Sequence, residues 1–122
     1  MEDNLTKEVI GAAIEVHREL DPGLLESAYQ TCLEYLLLKK GMKVRRELYL
    51  PITFQTLKLD QGYKIDLLVN DELVIELKTV EAFNDVHLAQ ILTYMKFGGY
   101  KKGLLLNFDV KMMKHGIKRV SL

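Results

Sequence analysis

Apolar residues return every three or four positions through the first forty residues, every second position through the middle, and every three or four again before the last fifth of the chain. Leu5, Val9, Ile10, Ala13, Ile14, His17 and Leu20 predict a first helix over roughly 5 to 20, capped by Asn4. Asp21-Pro22-Gly23 breaks it. Asp21 suits the cap of a second helix with Pro22 in its first turn, Leu25, Ala28, Cys32 and Leu36 as its apolar stripe and Gly41 as its stop. The pattern then changes to period two. Val44 to Leu50 and Ile52 to Leu59 read as strands separated by Pro51, and Asp60-Gln61-Gly62 as a turn. Tyr63 to Val69 and Leu73 to Lys78 read as a hairpin around Asn70-Asp71. Asn84 to Phe97 predicts a third helix with Val86, Ala89, Leu92 and Met95 in its buried stripe, ended by Gly98-Gly99. Gly103 to Phe108 and Ile117 to Val120 are the last strands. This order predicts one α/β domain over residues 1–122, a sheet covered by helices.

Composition narrows the class without choosing a function. Apolar residues make up 48% of the chain, enough for a core, and no run approaches the length of a membrane span. The acidic, polar start is unlike a signal peptide, so the expected location is cytoplasmic. The one cysteine, Cys32, excludes an internal disulfide and reads as buried and inert. Charges balance at 17 basic and 17 acidic residues, so overall attraction to nucleic acid is not implied. Their distribution is uneven: the first third is acidic, Lys39 to Arg46 is basic, and so is the stretch from Lys96 to Arg119. This asymmetry fits either a solvated surface or a local positive face.

The hairpin is where chemistry enters. Alternate residues of a strand share a face, which groups Asp66 with Leu68 and Glu76 with Lys78. If Val69 pairs with Leu73 across a three-residue loop, Asp66 lies opposite Glu76; a two-residue loop would separate them. Two close carboxylates repel, and a divalent cation removes the conflict. Lys78 then reaches the same spot to hold an attacking water or stabilise phosphate charge. An exposed sheet face with a salt bridge among the three is the plain alternative. On the third helix His87, Gln90 and Tyr94 line one face, suited to water, phosphate or base contacts, or else a half-buried flank. Glu26, in the first turn of the second helix, is sufficiently explained in isolation by the helix dipole.

In order, Asp66, Glu76-Leu77-Lys78 and Gln90-Ile91-Leu92-Thr93-Tyr94 resemble the Asp…Glu-x-Lys…Gln-x-x-x-Tyr series of the PD-(D/E)XK nuclease superfamily, in its RecB-like branch. Gly23-Leu24-Leu25-Glu26-Ser27-Ala28-Tyr29 resembles the Gly-x-x-Glu-x-x-Tyr signature of the GxxExxY family within it, as do Val16 to Leu20, Gly103 to Phe108 and Gly116 to Arg119. Ile65 stands where the superfamily's name has proline. The resemblance implies a restriction-endonuclease-like mixed sheet flanked by helices. It implies Mg²⁺, with Mn²⁺ as a substitute, held by Asp66, Glu76 and the Leu77 carbonyl, with Glu26 as an additional acidic group near the metal. Lys78 would be the catalytic lysine, and Gln90 and Tyr94 supporting residues.

The expected function is a Mg²⁺-dependent nuclease acting on nucleic acid, DNA in preference to RNA, with no membrane partner and with a homodimer as the working form. A non-catalytic module that binds nucleic acid or protein through the same cleft is the alternative, and a purely structural role the third.

Overall fold

A computed structural model describes residues 3–60 and 62–122. The expected turn at 60–62 includes Gln61, which lies outside the described residues. Helix α1 (Asn4–Leu20) is capped by Asp3 rather than Asn4, the Asp3 carboxylate accepting from the Thr6 N–H at 2.8 Å. Helix α2 (Glu26–Lys39) starts later than Asp21. Asp21 and Gly23 take positive φ, 59° and 117°, and the Tyr29 hydroxyl donates to the Asp21 carbonyl while accepting the Leu24 N–H. Residues 21–25 are thereby a pinned loop, Leu25 is the cap, and Pro22 lies outside the helix.

The main sheet has the order β1-β4-β5-β6-β7: β1 (Val44–Tyr49), β4 (Lys64–Val69), β5 (Leu73–Lys78), β6 (Lys102–Asn107) and β7 (Ile117–Ser121). All neighbours are antiparallel except β5 and β6, which are parallel and joined through α3 (Asp85–Gly98). The expected single strand Ile52–Leu59 is instead a hairpin, β2 (Ile52–Phe54) and β3 (Leu57–Leu59), turning at Gln55 with φ 54°. No Gly, Pro, Asn or Asp marks that turn, so nothing in the period-two pattern announces it. A short 3-10 turn, Met113–Gly116, precedes β7.

Helices α1 and α2 cover one face of the sheet through Val9, Ala13, Tyr29, Leu33 and Leu37, against Leu67, Ile75, Leu77 and Leu104. Helix α3 covers the other through Ile91, Tyr94 and Met95, against Leu68, Val74 and Leu105. Two stripes differ from expectation. In α2 the buried line runs through Tyr29, Leu33 and Leu37, one position later than Ala28, Cys32 and Leu36, while Leu25 is exposed and Cys32 only partly buried. In α3 Val86 and Ala89 are exposed. Both helices carry apolar residues around most of their circumference, which blurs the stripe. Among the described residues no helix is long and apolar enough to cross a membrane.

Candidate active site

The β4–β5 hairpin closes with the three-residue loop that the acid pair needs. Val69 pairs with Leu73, Leu68 with Val74 and Leu67 with Ile75; Asn70 and Asp71 take φ 52° and 54°, conformations their short polar side chains tolerate. Continued by one step, this register sets Asp66 opposite Glu76. There the backbone ladder stops and side chains take over. The Asp66 N–H donates to Glu76 Oε1 at 3.2 Å, and the Leu77 N–H donates to Asp66 Oδ2 at 2.8 Å. The carboxylates thus lie between the strands, bonded to edge groups, rather than standing on a face.

Three further observations mark the same point. Ile65 packs with the α3-side cluster and Leu67 with the other, so the alternation of β4 slips at Asp66. On the other edge, Glu47 takes φ 48° between the pairs Arg46–Leu67 and Leu48–Ile65, directly opposite Asp66. A left-handed non-glycine residue inside a strand is costly and persists where the surroundings hold it. From the helix side the Asp66 carbonyl accepts Gln30 Nε2 at 3.0 Å.

Gln30 is one helical turn beyond Glu26, so both face the sheet from α2. The Glu26 carboxylate accepts the Thr79 N–H and interacts electrostatically with Asp66 and Lys78, which brings it to the cluster. Its pKa is raised, first by burial and then by the Asp66 charge. The Lys78 Nζ donates to Gln90 Oε1 at 2.8 Å, and Gln90 Nε2 donates to the Tyr94 hydroxyl at 3.2 Å. That chain from α3 fixes the ammonium beside the acids. His87 does not join it. Its backbone N–H donates to Asn84 Oδ1 at 3.0 Å and its Nδ1 accepts the Asn84 N–H at 3.2 Å, a reciprocal cap at the start of α3.

The electrostatics follow from enclosure. Glu76 is 3% exposed. Burial, then the Asp66 charge, pushes its carboxyl up to about 9. Asp66 is also raised, first by burial, against the opposing pull of the Leu77 N–H, the Glu76 hydrogen bond and Lys78.

Whether this donor set suits a metal ion is decided by its chemistry. Asp66 and Glu76 offer carboxylate oxygens held together between the strands by backbone N–H groups. The Lys78 carbonyl accepts the Phe108 N–H at 2.9 Å, so the groups of Lys78 leave toward β6 and those of Leu77 leave toward the open β4 edge. The Leu77 carbonyl therefore shares an edge with its own N–H and Asp66 Oδ2. Among the described residues no group of three or more His, Cys, Asp or Glu is gathered closely enough to hold an ion unaided. Two carboxylates and one carbonyl fit a hard cation that keeps water and takes phosphate, which describes Mg²⁺ better than a tightly caged Zn²⁺.

Two positioning residues escape a reading of the sequence. Gln30 is signalled only by its i, i+4 relation to Glu26. Asn107, 2% exposed at the end of β6, accepts the Val80 N–H at 3.1 Å and donates to the Val80 carbonyl at 2.8 Å, which holds the segment whose Thr79 N–H meets Glu26. A Cβ on Gly116 would collide with the Asn107 carbonyl, so the 3-10 turn packs against this corner only as glycine.

A family model described as the PD-(D/E)XK nuclease superfamily matches residues 3–120, and the chain belongs to that superfamily. No curated protein and no solved structure matches the chain.

Proposed function

We propose that this member of the PD-(D/E)XK superfamily is a Mg²⁺-dependent nuclease that hydrolyses phosphodiester bonds, in DNA rather than RNA, and that it belongs to the GxxExxY group. The observation that carries the reading is the opened ladder, where Asp66, Glu76 and the Leu77 edge converge while Gln90 holds Lys78 beside them. Asp66, Glu76 and the Leu77 carbonyl would hold the cation, Mg²⁺ or Mn²⁺. When bound, it supplies a Lewis acid that eases ionisation of a water and offsets charge on the phosphate. Lys78 keeps a positive charge where negative charge develops as the water oxygen bonds to phosphorus and the ester oxygen leaves. Gln90 orients the lysine and Tyr94 anchors Gln90. Glu26 adds an acidic group on the α2 side, and Gln30 fixes the backbone of Asp66.

The enclosure of Glu76 supports a second reading, a non-catalytic module that binds nucleic acid or protein through the same cleft. A cleavage screen over single- and double-stranded DNA and RNA, with and without Mg²⁺, separates the two. Metal-dependent cleavage that is lost in Lys78→Ala supports the nuclease; binding that persists in chelator without any cleavage supports the module. Paired cutting by two copies and a cytoplasmic location complete the proposal. A monomer mass by light scattering at micromolar concentration would remove the dimer.

A further inference from the structure

Some basic residues of this chain are held in salt bridges, and others are not. In the central run Lys43, Arg45 and Arg46 are neutralised: Lys43 and Arg45 lie 2.8 and 3.3 Å from Asp71, and Arg46 lies 3.3 Å from Glu34. Lys102 is likewise held by Glu72 and Asp3 at 2.8 and 3.2 Å. Arg18, Lys111 and Lys114 form no salt bridge among the described residues. All three line one cavity of about 420 Å³, between the C-terminal end of α1 and the segment from β6 to the 3-10 turn. Among the described residues Asp21 is the one acidic residue on its wall, and Ile14, Met112 and Met113 give it an apolar floor. Ile14 is 37% exposed and Met112 51%, although both are apolar.

This cavity is tied to the candidate active site through the backbone. Phe108 donates its N–H to the Lys78 carbonyl at 2.9 Å and stacks on Tyr29 of the Glu26 helix, with ring centroids 4.7 Å apart. Two residues further on, the Val110 carbonyl accepts the Nε2–H of buried His17 at 2.6 Å. That bond clamps the loop to α1 immediately before Lys111. Three residues of chain reach at most roughly 11 Å, so Lys111 starts within that distance of the residue bonded to Lys78. At about 3.4 Å of rise per nucleotide, this is a few nucleotides along a strand.

We propose that the cavity seats a nucleotide of the substrate strand a few positions from the cut, with its phosphate between Arg18, Lys111 and Lys114 and its base on Ile14 and Met112. The assignment rests on the nucleic-acid reading of the neighbouring site and adds where the flanking strand runs. Cations free of protein partners gain from phosphate, whereas those already paired must first break a salt bridge. The apolar floor accepts any base by contact and confers no sequence preference.

The test is fluorescence anisotropy of a short labelled oligonucleotide, single-stranded and duplex, in chelator and in Mg²⁺. Lys111→Ala/Lys114→Ala should weaken binding roughly tenfold and reduce the slope of log affinity against log salt by about 1.5. Lys43→Ala/Arg45→Ala removes the same charge from the neutralised run and should leave both quantities near wild type. Equal losses in the two variants, no loss in the first, or no binding by the wild type would overturn the proposal. Failure of the nuclease reading is distinguishable. A chain that binds through Lys111 and Lys114 without cutting keeps this site and loses the enzyme; one that cuts with unchanged KM in the first variant keeps the enzyme and loses the site.

Discussion

The two ends of the β4–β5 hairpin hold the same kinds of groups in opposite conditions. At the turn, Asp71 is exposed, and the hydrogen bond from Lys43, aided by Arg45, holds its carboxyl below the usual range. At the far end, Glu76 and Asp66 also have an ammonium nearby, yet both are raised, because burial outweighs Lys78. A cation beside a carboxylate is therefore not a site by itself. Solvent decides whether the pair is a screened surface contact or a strained cluster that gains from a counter-ion.

The sharpest way to break this comparison is to change the charges of the enclosed end one at a time. Lys78→Ala should lower the cleavage rate by about 10²–10³-fold while Mg²⁺ affinity, read by calorimetric titration, stays close to wild type. Asp66→Asn should instead raise the Mg²⁺ needed for activity. Equal loss of metal affinity in the two variants would refute the division of roles.

Next comes pH. The folded-state pKa of Glu76 lies above its unfolded value, so its stability contribution is full below about 4.5 and is lost as pH rises toward about 9. In chelator, thermal melts should show stability falling across that window by on the order of a few kcal/mol. Glu76→Gln should flatten the fall, and Mg²⁺ should raise Tm more at pH 8.5 than at pH 6. A wild-type melt independent of pH in chelator would show that the acid pair is not strained.

A smaller effect is expected for Gln30→Leu, which leaves the Asp66 carbonyl without its partner. A loss of about 1–3 kcal/mol by urea unfolding, with a partial loss of cleavage, would match a positioning role. The smallest is Asp71→Asn: asparagine tolerates the left-handed turn, and melts and cleavage should stay at wild-type values. A large change there would erase the distinction between the two ends.

Much of this was legible in the sequence. The period-two pattern and the Asn-Asp turn placed the hairpin but left two registers open, of which the three-residue loop brings Asp66 to Glu76; the order of acids, lysine, Gln90 and Tyr94 pointed to the residues that α3 brings to Lys78. Less was visible where geometry departs from its own period. The hairpin at Gln55 has no turn residue, and the loop 21–25 owes its shape to a Tyr29 hydroxyl that acts from within the next helix. His87 shares a face with Gln90 and Tyr94 in projection, yet Asn84 claims it. Nor can a pattern show that a ladder stops at Asp66, since only the placement of Gln30, Glu47 and Leu77 around it makes that visible.

The parallel pairing of β5 with β6 also sets an order in time. The acids sit ten residues apart across a three-residue loop, so they meet in the fastest-forming part of the sheet, whereas Leu73 must wait for Lys102 to return through α3. In an early, open hairpin both carboxylates are solvated and ionised at neutral pH. The later docking of α3 and β6 encloses them, and that burial raises the pKa of both. The non-local pairing is thus also what encloses the acids, and on the proposed Mg²⁺ binding refolding should accelerate when Mg²⁺ is present at high pH.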